Sequence, residues 1–438
     1  MLRIGASAID ITPPVGTALD GYGGRTDVSL GVHDPLYARC LYLDDGTTQL
    51  ALVVCDLIGI GSFLAQRARE LIAERPGIPP QNVLVAATHT HAGPAGVRGK
   101  GEPVLVEETA RKIAGAVRVA HRDATEGVLK YGTTPLDSIA QNRRHPDWPI
   151  DHRLDVLAAD TPAGRNIATI ARYACHPTTM TGANLEITAE WPGEACRLIE
   201  RITGGRGIYF NGACGNINPA WIEQRFDEVY RLGSVVGAKA AALSQELRPL
   251  GINHQAANIR WDEFTDKPVT AGRLIGEAGL RAVSRTVQVP YRSGPDDETM
   301  AALIDALESE QHGLPPGEPR RRVMERLTAA RMERVALART RGKEPMRDEE
   351  VQAFRLGDGL FAVCLPGEVF VETQEDIRRL SGLDDLLVIT YANDYPGYFC
   401  RPEAYEQGGY EAGVTPFAPE ADGILIDTAV SVLKEVSA

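Results

Sequence analysis

Two histidines with one residue between them, in the segment ATHTHAGPAG, have the types and spacing that suit metal chemistry. His89 and His91 directly follow the apolar run VLVAAT, which predicts a β-strand. Side chains two residues apart in an extended backbone point to the same face, so both imidazoles should enter one cavity. The pattern fits a metal ligand and its neighbour, and it also fits a pair of ordinary loop histidines.

Two further groups of the zinc-binding type follow apolar runs elsewhere in the chain. His176 in YACHPTTM precedes a proline that stops the strand ladder, and Glu368 in CLPGEVF lies on a Pro-Gly turn. Taken singly, the histidine fits hydrogen bonding to backbone, and the glutamate fits the start of the helix that follows. Together with the histidine pair they indicate a zinc site, because imidazoles and carboxylates are zinc ligands.

Three other segments contain groups that could bind or polarise a substrate. Tyrosines crowd residues 391–410, where Tyr398 and Tyr410 could bind a metal, donate to a developing oxyanion or only pack at a rim. Arg143 in AQNRRHPDWP is a candidate clamp for an anion or a carbonyl, with a surface salt bridge as the alternative. The glycine-rich loop FNGACGNINPAW, which contains Asn218, can equally be a tight turn without a ligand.

Strands and helices that alternate along the chain must position these groups. Predicted strands are the apolar runs that end at Leu57, Thr88, Cys175, Phe210, Glu368 and Asp394. Predicted helices are the amphipathic segments 62–75, 105–120, 191–202, 227–247, 371–380 and 424–436. This alternation predicts an α/β fold with a mixed central sheet covered by helices, and an active site at strand ends and in the loops that follow.

The stretch 256–350 has a different pattern, with an extended start, a loop at RSGPDDE and two helices. We interpret it as a central, partly helical insertion or subdomain within a catalytic domain formed by residues 1–255 and 351–438. Its arginine-dense part, residues 319–341, has apolar residues at helical spacing and interleaved glutamates. That pattern favours a solvated helix face.

Composition restricts the classes of function. A chain of 438 residues with 43% apolar residues can bury one large core or two medium ones. The formal charge of −13 argues against nucleic acid as a partner. The seven cysteines are scattered without paired spacing, which predicts reduced, buried residues. Because no apolar run has the length of a signal peptide or a membrane span, we expect a cytoplasmic protein without stable membrane association.

In their order along the chain, these segments resemble the N-terminal catalytic region of the neutral, non-lysosomal ceramidase family. The resemblance covers nearly the whole chain except residues 256–350. It is carried by DITPPVGTALDGYGGR, GVHDPLYARCLYLDD, CDLIGI, ATHTHAGP, QNRR, HPTTM, LPGE and the tyrosine-rich tail. It implies one zinc ion per chain, held by His89, His176, Glu368 and Tyr398. Nitrogen and oxygen ligands would also accept another divalent metal.

The resemblance also implies roles for residues around the metal. His91 would lie beside the metal water and exchange its proton, Arg143 would lie near the scissile carbonyl, and Tyr410 would donate to the oxyanion. Gly21, in the DGYGG loop, and Asn218 would belong to the substrate pocket. Asn218 stands where the family has a serine, so a serine-dependent step is not carried over.

We therefore predict a zinc-dependent hydrolase that cleaves the amide bond of a small soluble N-acyl compound through a zinc-bound hydroxide. The family's export signal and its C-terminal immunoglobulin-like domain are not recognisable, and an acidic chain without an evident membrane face suits such a substrate better than a bilayer lipid. An esterase or lactonase on the same site is the alternative, and a true ceramidase ranks third. A non-catalytic metal-containing binding protein is the alternative from a different class.

Overall fold

The computed structural model describes residues 2–98, 102–247, 272–275 and 279–438. The part of the predicted insertion from 256 to 271 lies outside the described residues. The strands, in chain order, are β1 (Arg3–Asp10), β2 (Gly31–Val32), β3 (Tyr37–Asp44), β4 (Gln49–Cys55), β5 (Val83–Ala87), β6 (Thr125–Glu126), β7 (Val128–Pro135), β8 (Ala140–Asn142), β9 (Arg153–Asp160), β10 (Asn166–Tyr173), β11 (Glu186–Ile187), β12 (Arg206–Asn211), β13 (Ile217–Pro219), β14 (Gly272–Ile275), β15 (Arg281–Pro290), β16 (Met346–Gly357), β17 (Leu360–Cys364), β18 (Glu368–Val369), β19 (Leu386–Ile389) and β20 (Tyr398–Phe399). The helices are α1 (Ser62–Glu74), α2 (Pro103–Arg122), α3 (Glu190–Thr203), α4 (Phe226–Glu246), α5 (Asp297–Gly313), α6 (Glu318–Thr340), α7 (Val371–Ser381), α8 (Pro402–Gln407), α9 (Tyr410–Val414) and α10 (Glu420–Ser437).

The first sheet has the strand order β5-β4-β3-β1-β6 and is antiparallel except for the parallel pair β4 and β5. Alternate side chains of β3 point to opposite faces, as the pleat of a strand requires. Leu41 and Leu43 enter the core between the sheets, whereas Cys40 and Tyr42 belong to the cluster on the helix side. Helices α1 and α2 cover that second face.

Two further sheets complete the layers. The order β12-β10-β9-β7-β14 contains the parallel pair β10 and β12, and α3 and α4 pack against it. The order β15-β16-β17-β19 contains the parallel pair β17 and β19 and is covered by α10. Buried side chains from all three sheets form one hydrophobic cluster, including Leu41, Ile170, Phe210, Phe354 and Leu387. The predicted α/β class is confirmed, and the mixed sheet is divided into three.

In each of the three larger sheets the parallel pair is connected by one helix, which gives the units β4-α1-β5, β10-α3-β12 and β17-α7-β19. Loops at the carboxyl ends of parallel strands are where α/β folds place their functional side chains. His89 follows β5, His176 follows β10 and Glu368 follows β17. The three units therefore supply one predicted metal ligand each.

The segment after β19 fastens the third sheet to the first. Ala392 forms an isolated antiparallel bridge with Ala86 of β5. The backbone N–H of Asn393 donates to the carbonyl of Val85 at 2.8 Å, and the Asn393 side chain accepts from the Val85 N–H at 3.0 Å. These bonds fix the tyrosine-rich segment relative to the histidine loop.

The predicted strands and helices all occur, with ends displaced by a few residues. Strands β7 and β9 were not predicted, because buried polar side chains interrupt their apolar runs. Lys130 of β7 pairs with Asp160 of β9 at 2.6 Å, and both side chains are buried. The seven cysteines are all free and buried, as expected.

The described part of the predicted insertion consists of an extended strand and two helices. β15 pairs along its whole length with β16, and α5 and α6 pack together around Met300, Leu307 and Leu327. α6 also packs against α9, the short helix that begins at Tyr410. The boundaries proposed for this segment stay a prediction, but the contact places α6 beside the tyrosine-rich loop.

A buried arginine joins the second and third sheets, and its loss should destabilise the protein. Arg172 contacts Asp151 at 2.5 Å and donates from Nε to the carbonyl of Val388 at 2.8 Å. Arg172→Met should lower the free energy of unfolding by about 3 kcal/mol, because it removes the nearest cation from the buried Asp151, which keeps only Arg378 at 3.3 Å. Denaturant unfolding measures this, with the exposed Arg122→Met as a control expected within about 0.5 kcal/mol of wild type. Equal stability of the two variants would contradict this account of the joint.

Candidate metal centre

The imidazoles of His89, His91 and His176 form a compact group of potential metal ligands among the described residues. Their ligand atoms all lie within 4.8 Å of one another, and His89 and His176 are fully buried. Nε2 of His91 lies 3.1 Å from Nε2 of His89. The structure thus brings the predicted pair His89 and His91 together with His176, which lies 87 positions after His89 in the chain.

Backbone carbonyl groups fix the orientation of two of these rings. Nδ1 of His89 lies 2.6 Å from the carbonyl oxygen of Ile58, and Nδ1 of His176 lies 3.0 Å from that of Ile217. Since a carbonyl can only accept, each Nδ1 carries the proton and each Nε2 presents a lone pair to the centre. Burial, followed by the positive charge of Arg143, lowers the pKa of His176 to about 4, so its ring is neutral at pH 7.

The carboxylate of Glu368 faces both lone pairs. Its Oε2 lies 3.1 Å from Nε2 of His176 and 3.5 Å from Nε2 of His89, and the side chain is buried. The hydroxyl of Tyr395 donates to the other oxygen, Oε1. Burial alone would raise the pKa of Glu368, but His89 and His176 outweigh it and hold that pKa well below its ordinary value.

This arrangement fits a metal ion. Two imidazole nitrogens and a carboxylate oxygen at these distances repel one another through their lone pairs unless they share a cation, either a proton or a metal ion. Metal bonds of about 2.0–2.1 Å in a tetrahedral site place neighbouring ligand atoms about 3.3 Å apart. The observed separations of 3.1 and 3.5 Å bracket that value.

Tyr398, the fourth predicted ligand, lies beside the third. Strands β18 and β20 run parallel, and Glu368 is the register partner of Tyr398. The Tyr398 hydroxyl accepts a hydrogen bond from Nη2 of Arg143 at 3.1 Å. Burial, with the charge of Glu368 second, raises the pKa of Tyr398 well above its ordinary value. Its side chain is therefore a neutral phenol unless a cation binds it.

Arg143 is held by a set of oxygen acceptors. Its Nε pairs with Glu411 at 2.7 Å, and Nη2 donates to the carbonyl of Gly215 at 2.6 Å. Nη1 donates to the side-chain oxygen of Asn218 at 3.3 Å. Burial opposes the charge, but Tyr398 and Glu411 outweigh it and keep the pKa of Arg143 well above its ordinary value. Asn218 thus orients the guanidinium that contacts the candidate ligand Tyr398.

Tyr410 lies on the outer side of the same group and is 53% exposed. Its ring centre is 5.9 Å from that of Tyr398, in an edge-to-face arrangement, and 5.9 Å from the guanidinium carbon of Arg143. Both Arg143 and Tyr410 line a cavity of about 470 Å³, together with Trp148 and Glu411. The phenol is therefore placed where a group entering from solvent would meet it.

Gly21 approaches His91 so closely that the position requires glycine. A Cβ atom added at Gly21 would lie 2.6 Å from Cβ of His91, and the backbone has a φ of 109°. Arg25 from the same loop donates to the carbonyl oxygen of His91 at 3.1 Å. Nδ1 of His91 is buried without a hydrogen-bond partner among the described residues. The DGYGG loop therefore covers His91, and the assignment of Gly21 to the substrate pocket stays a prediction.

A buried carboxylate that the sequence analysis did not identify supports this loop. Glu190 accepts from the backbone N–H of His91 at 2.8 Å through Oε2, and from those of Thr179 and Met180 at 3.1 and 3.2 Å through Oε1. Burial raises the pKa of Glu190 to about 7, against these hydrogen bonds. The carboxylate connects the loop after β5 to the loop after β10.

Backbone strain in the described residues is concentrated at this site. The non-glycine residues with positive φ are His89 at 72°, Glu190 at 52°, Tyr391 at 57° and Asn393 at 60°. Each such residue costs on the order of 1–3 kcal/mol, and strain of this kind clusters at functional sites. The ring of Tyr391 stacks on that of His89 with centres 4.1 Å apart, so two strained residues contact each other.

All the residues singled out in the sequence therefore lie in one connected region. Glu190, Tyr395 and Glu411 complete it, and sequence reasoning did not assign them roles. Glu190 is the first residue of α3 and has the pattern of an ordinary helix-start acid. Tyr395 and Glu411 lie in the predicted tyrosine-rich segment or directly after it, but spacing alone does not say which group each would contact.

Comparison with known proteins finds a family model and relatives that this chain resembles. Residues 2–211 match the family model described as neutral/alkaline non-lysosomal ceramidase, N-terminal. Across nearly its whole length the chain is similar to members of the neutral/alkaline ceramidase family. These relatives indicate a hydrolase that acts on an amide bond.

The relatives match nearly the full length of the chain. The neutral ceramidase of Pseudomonas aeruginosa is 25% identical across 98% of this chain and 72% of the relative. That of Mycobacterium tuberculosis is 26% identical across 95% and 74%. The crystal structure of the Pseudomonas aeruginosa neutral ceramidase superposes with a TM-score of 0.74 at 22% identity, covering 100% of this chain and 75% of that structure. The fold of this chain is therefore that of the ceramidase structure.

The contact between Gly21 and His91 predicts a site-specific loss of stability. Gly21→Ala should lower the free energy of unfolding by about 1–3 kcal/mol, because the added Cβ strains the backbone and displaces His91. Gly23→Ala in the same loop is the matched control, since a Cβ there meets nothing within 4 Å. Its effect should stay within about 0.5 kcal/mol in the same denaturant titration. A Gly21 variant as stable as the Gly23 variant would show that the close approach is not required.

Proposed function

We propose that this chain is a metal-dependent amidohydrolase whose zinc ion is held by His89, His176, Glu368 and Tyr398. The observation that carries the proposal is the convergence of two buried imidazole lone pairs on one oxygen of Glu368, at 3.1 and 3.5 Å. Both rings are oriented by carbonyl acceptors, which is the usual arrangement around metal-binding histidines. The compact group of three histidines supports a metal site, and zinc suits its nitrogen and oxygen ligands.

A metal ion bound here would lower the pKa of a coordinated water and polarise a substrate carbonyl. In amide hydrolysis the water oxygen bonds to the carbonyl carbon, the C–N bond breaks, and a proton passes to the leaving amine. His91 is the group we assign to that proton, because its ring adjoins the candidate ligands and the backbone bond to Glu190 fixes its position.

Tyr410 and Arg143 would act on the substrate carbonyl from the cavity side. The Tyr410 hydroxyl donates a hydrogen bond to the carbonyl oxygen as negative charge develops on it. Arg143 lies next to the rings of Tyr398 and Tyr410, with guanidinium-to-centre distances of 5.6 and 5.9 Å. Its pairing with Glu411 keeps it in place, so it positions both phenols and adds positive charge near the carbonyl.

The names of the relatives support ceramide, a long-chain lipid amide, as the first substrate to test. Among the described helices, none has the length and apolar content of a membrane span. The small soluble N-acyl compound predicted from the sequence is a second candidate, because the cavity at Tyr410 is lined by polar and charged groups including Arg143, Arg144 and Glu411. An ester or lactone could use the same groups, and a cytoplasmic location stays a prediction.

Removing a ligand should abolish both metal binding and turnover. His89→Ala and His176→Ala should each lose the bound zinc, measured by metal analysis of the purified protein, and amide hydrolysis should fall to background. His152→Ala is the matched control, since His152 is an exposed histidine paired with Asp137. Chelation of wild type should remove activity, and added zinc should restore it. Retention of zinc and activity in both ligand variants would refute the proposed site.

The role of Tyr410 predicts a loss in the chemical step. Tyr410→Phe should lower kcat about 100-fold with KM and metal content little changed, because an oxyanion donor acts in the transition state. Tyr230→Phe, another exposed tyrosine that contacts His33, is the control and should behave like wild type. An increase in KM at constant kcat would assign Tyr410 to substrate binding instead.

A further inference from the structure

A second cavity, of about 610 Å³, adjoins the candidate metal centre at Tyr395, and Arg143 is not part of its lining. Tyr395 lines it, and the hydroxyl of the same residue donates to Glu368. Gly397, directly before Tyr398, also lines it. The Tyr395 side chain therefore separates the interior of this cavity from the Glu368 carboxylate.

The walls of this cavity are positively charged. Its charged lining residues are Asp20, Arg98, Arg339, Lys343, Arg347 and Asp394. Four cations and two carboxylates give the lining a formal charge of +2. The whole chain carries a formal charge of −13, so the charge of the cavity lining is opposite in sign to the net charge of the protein. A cleft lined by one sign of charge concentrates ligands of the other sign.

Two of the four cations are already paired within the protein. Arg98 contacts both oxygens of Asp20, at 2.5 and 2.6 Å. Arg347 contacts Asp394 and, at 2.5 Å, Glu349. Arg98 and Arg347 are thus held in place by these carboxylates and neutralise the two negative charges of the lining.

The other two cations, Arg339 and Lys343, form no ion pair with a carboxylate among the described residues. Nη1 of Arg339 makes a long hydrogen bond of 3.4 Å to the carbonyl of Val414, and the Lys343 ammonium lies 5.8 Å from the ring centre of Tyr291. Both side chains are exposed. Their donors are therefore available to a ligand that enters the cavity.

Both available cations come from the end of α6 and the turn after it, within the predicted insertion. The N–H of Lys343 donates to the carbonyl of Thr340, which continues the helix into a turn. α6 is held against α9 by packing, with Met332 next to Gly413. The insertion therefore supplies a cationic wall beside the candidate metal centre.

We infer that this cavity is a subsite for an anionic group, a carboxylate or a phosphate, carried by the amide substrate. The inference rests on the proposed amidohydrolase function and, of its two candidate substrates, favours the small N-acyl compound over ceramide, which carries neither anion. Guanidinium and ammonium donors form charge-assisted hydrogen bonds with either anion. A neutral amide leaves both cations hydrated and gains nothing from them.

Paired substrates and variants test the subsite. Wild type should hydrolyse an N-acyl amino acid with a kcat/KM at least about tenfold above that of its carboxamide, and an N-acyl amine bearing phosphate should likewise exceed its alcohol. The stronger of the two pairs distinguishes carboxylate from phosphate. Arg339→Gln and Lys343→Gln should remove most of this preference by raising KM for the anionic substrates, with the neutral substrates unaffected. Arg322→Gln, an exposed arginine of α6 paired with Glu318, is the matched control.

Equilibrium binding separates failure of the subsite from failure of the proposed function. Calorimetric titration with N-acetyl amino acids and their carboxamides should show tighter binding of the anion, lost in the Arg339 variant. That result without any amide turnover would leave the subsite standing and reject the hydrolase proposal. Amide turnover with equal rates and equal binding for charged and neutral members would overturn the subsite. Retention of the preference in both glutamine variants would also overturn it.

Discussion

The structure of the site depends on one electrostatic constraint, the burial of the Glu368 carboxylate against the inward-facing nitrogens of His89 and His176. A buried carboxylate beside two imidazole nitrogens is unfavourable unless a proton or a metal ion joins the groups. The surrounding protein satisfies every outward-facing atom of the three groups. The ring Nδ1 atoms face the carbonyls of Ile58 and Ile217, and the second carboxylate oxygen accepts from a tyrosine hydroxyl. The remaining lone pairs face a common centre, and this is the basis for the metal assignment.

The fold delivers these three groups because it repeats one arrangement. Three parallel strand pairs, each joined by a helix, end in loops that carry His89, His176 and Glu368. Two links then fix the loops relative to one another. The segment containing Asn393 pairs with β5, and the buried Glu190 bridges the two histidine loops. Positive φ values at His89 and Glu190 show that packing and hydrogen bonds elsewhere hold the backbone in strained positions.

Much of this architecture follows from the sequence. Apolar runs that end in chemically active residues predicted the strands before His89 and His176, and family motifs joined residues whose individual patterns were ambiguous. Contacts that depend on tertiary structure were not predictable. Glu190 has the local pattern of a helix-start acid, yet it accepts from backbone groups of two loops. Arg339 belongs to residues 319–341, which the sequence analysis interpreted as a solvated helix face, and Lys343 lies just after them. The packing of α6 against α9 accompanies their place at a cavity.

The position of a bound metal tests the central claim most directly. Crystals of the zinc-loaded protein, with diffraction measured on both sides of the zinc absorption edge, should show one anomalous peak among these side chains. The account predicts a peak about 2.0–2.2 Å from Nε2 of His89, Nε2 of His176 and an oxygen of Glu368. A fully loaded crystal with no peak there, or with its zinc bound by other side chains, would contradict it.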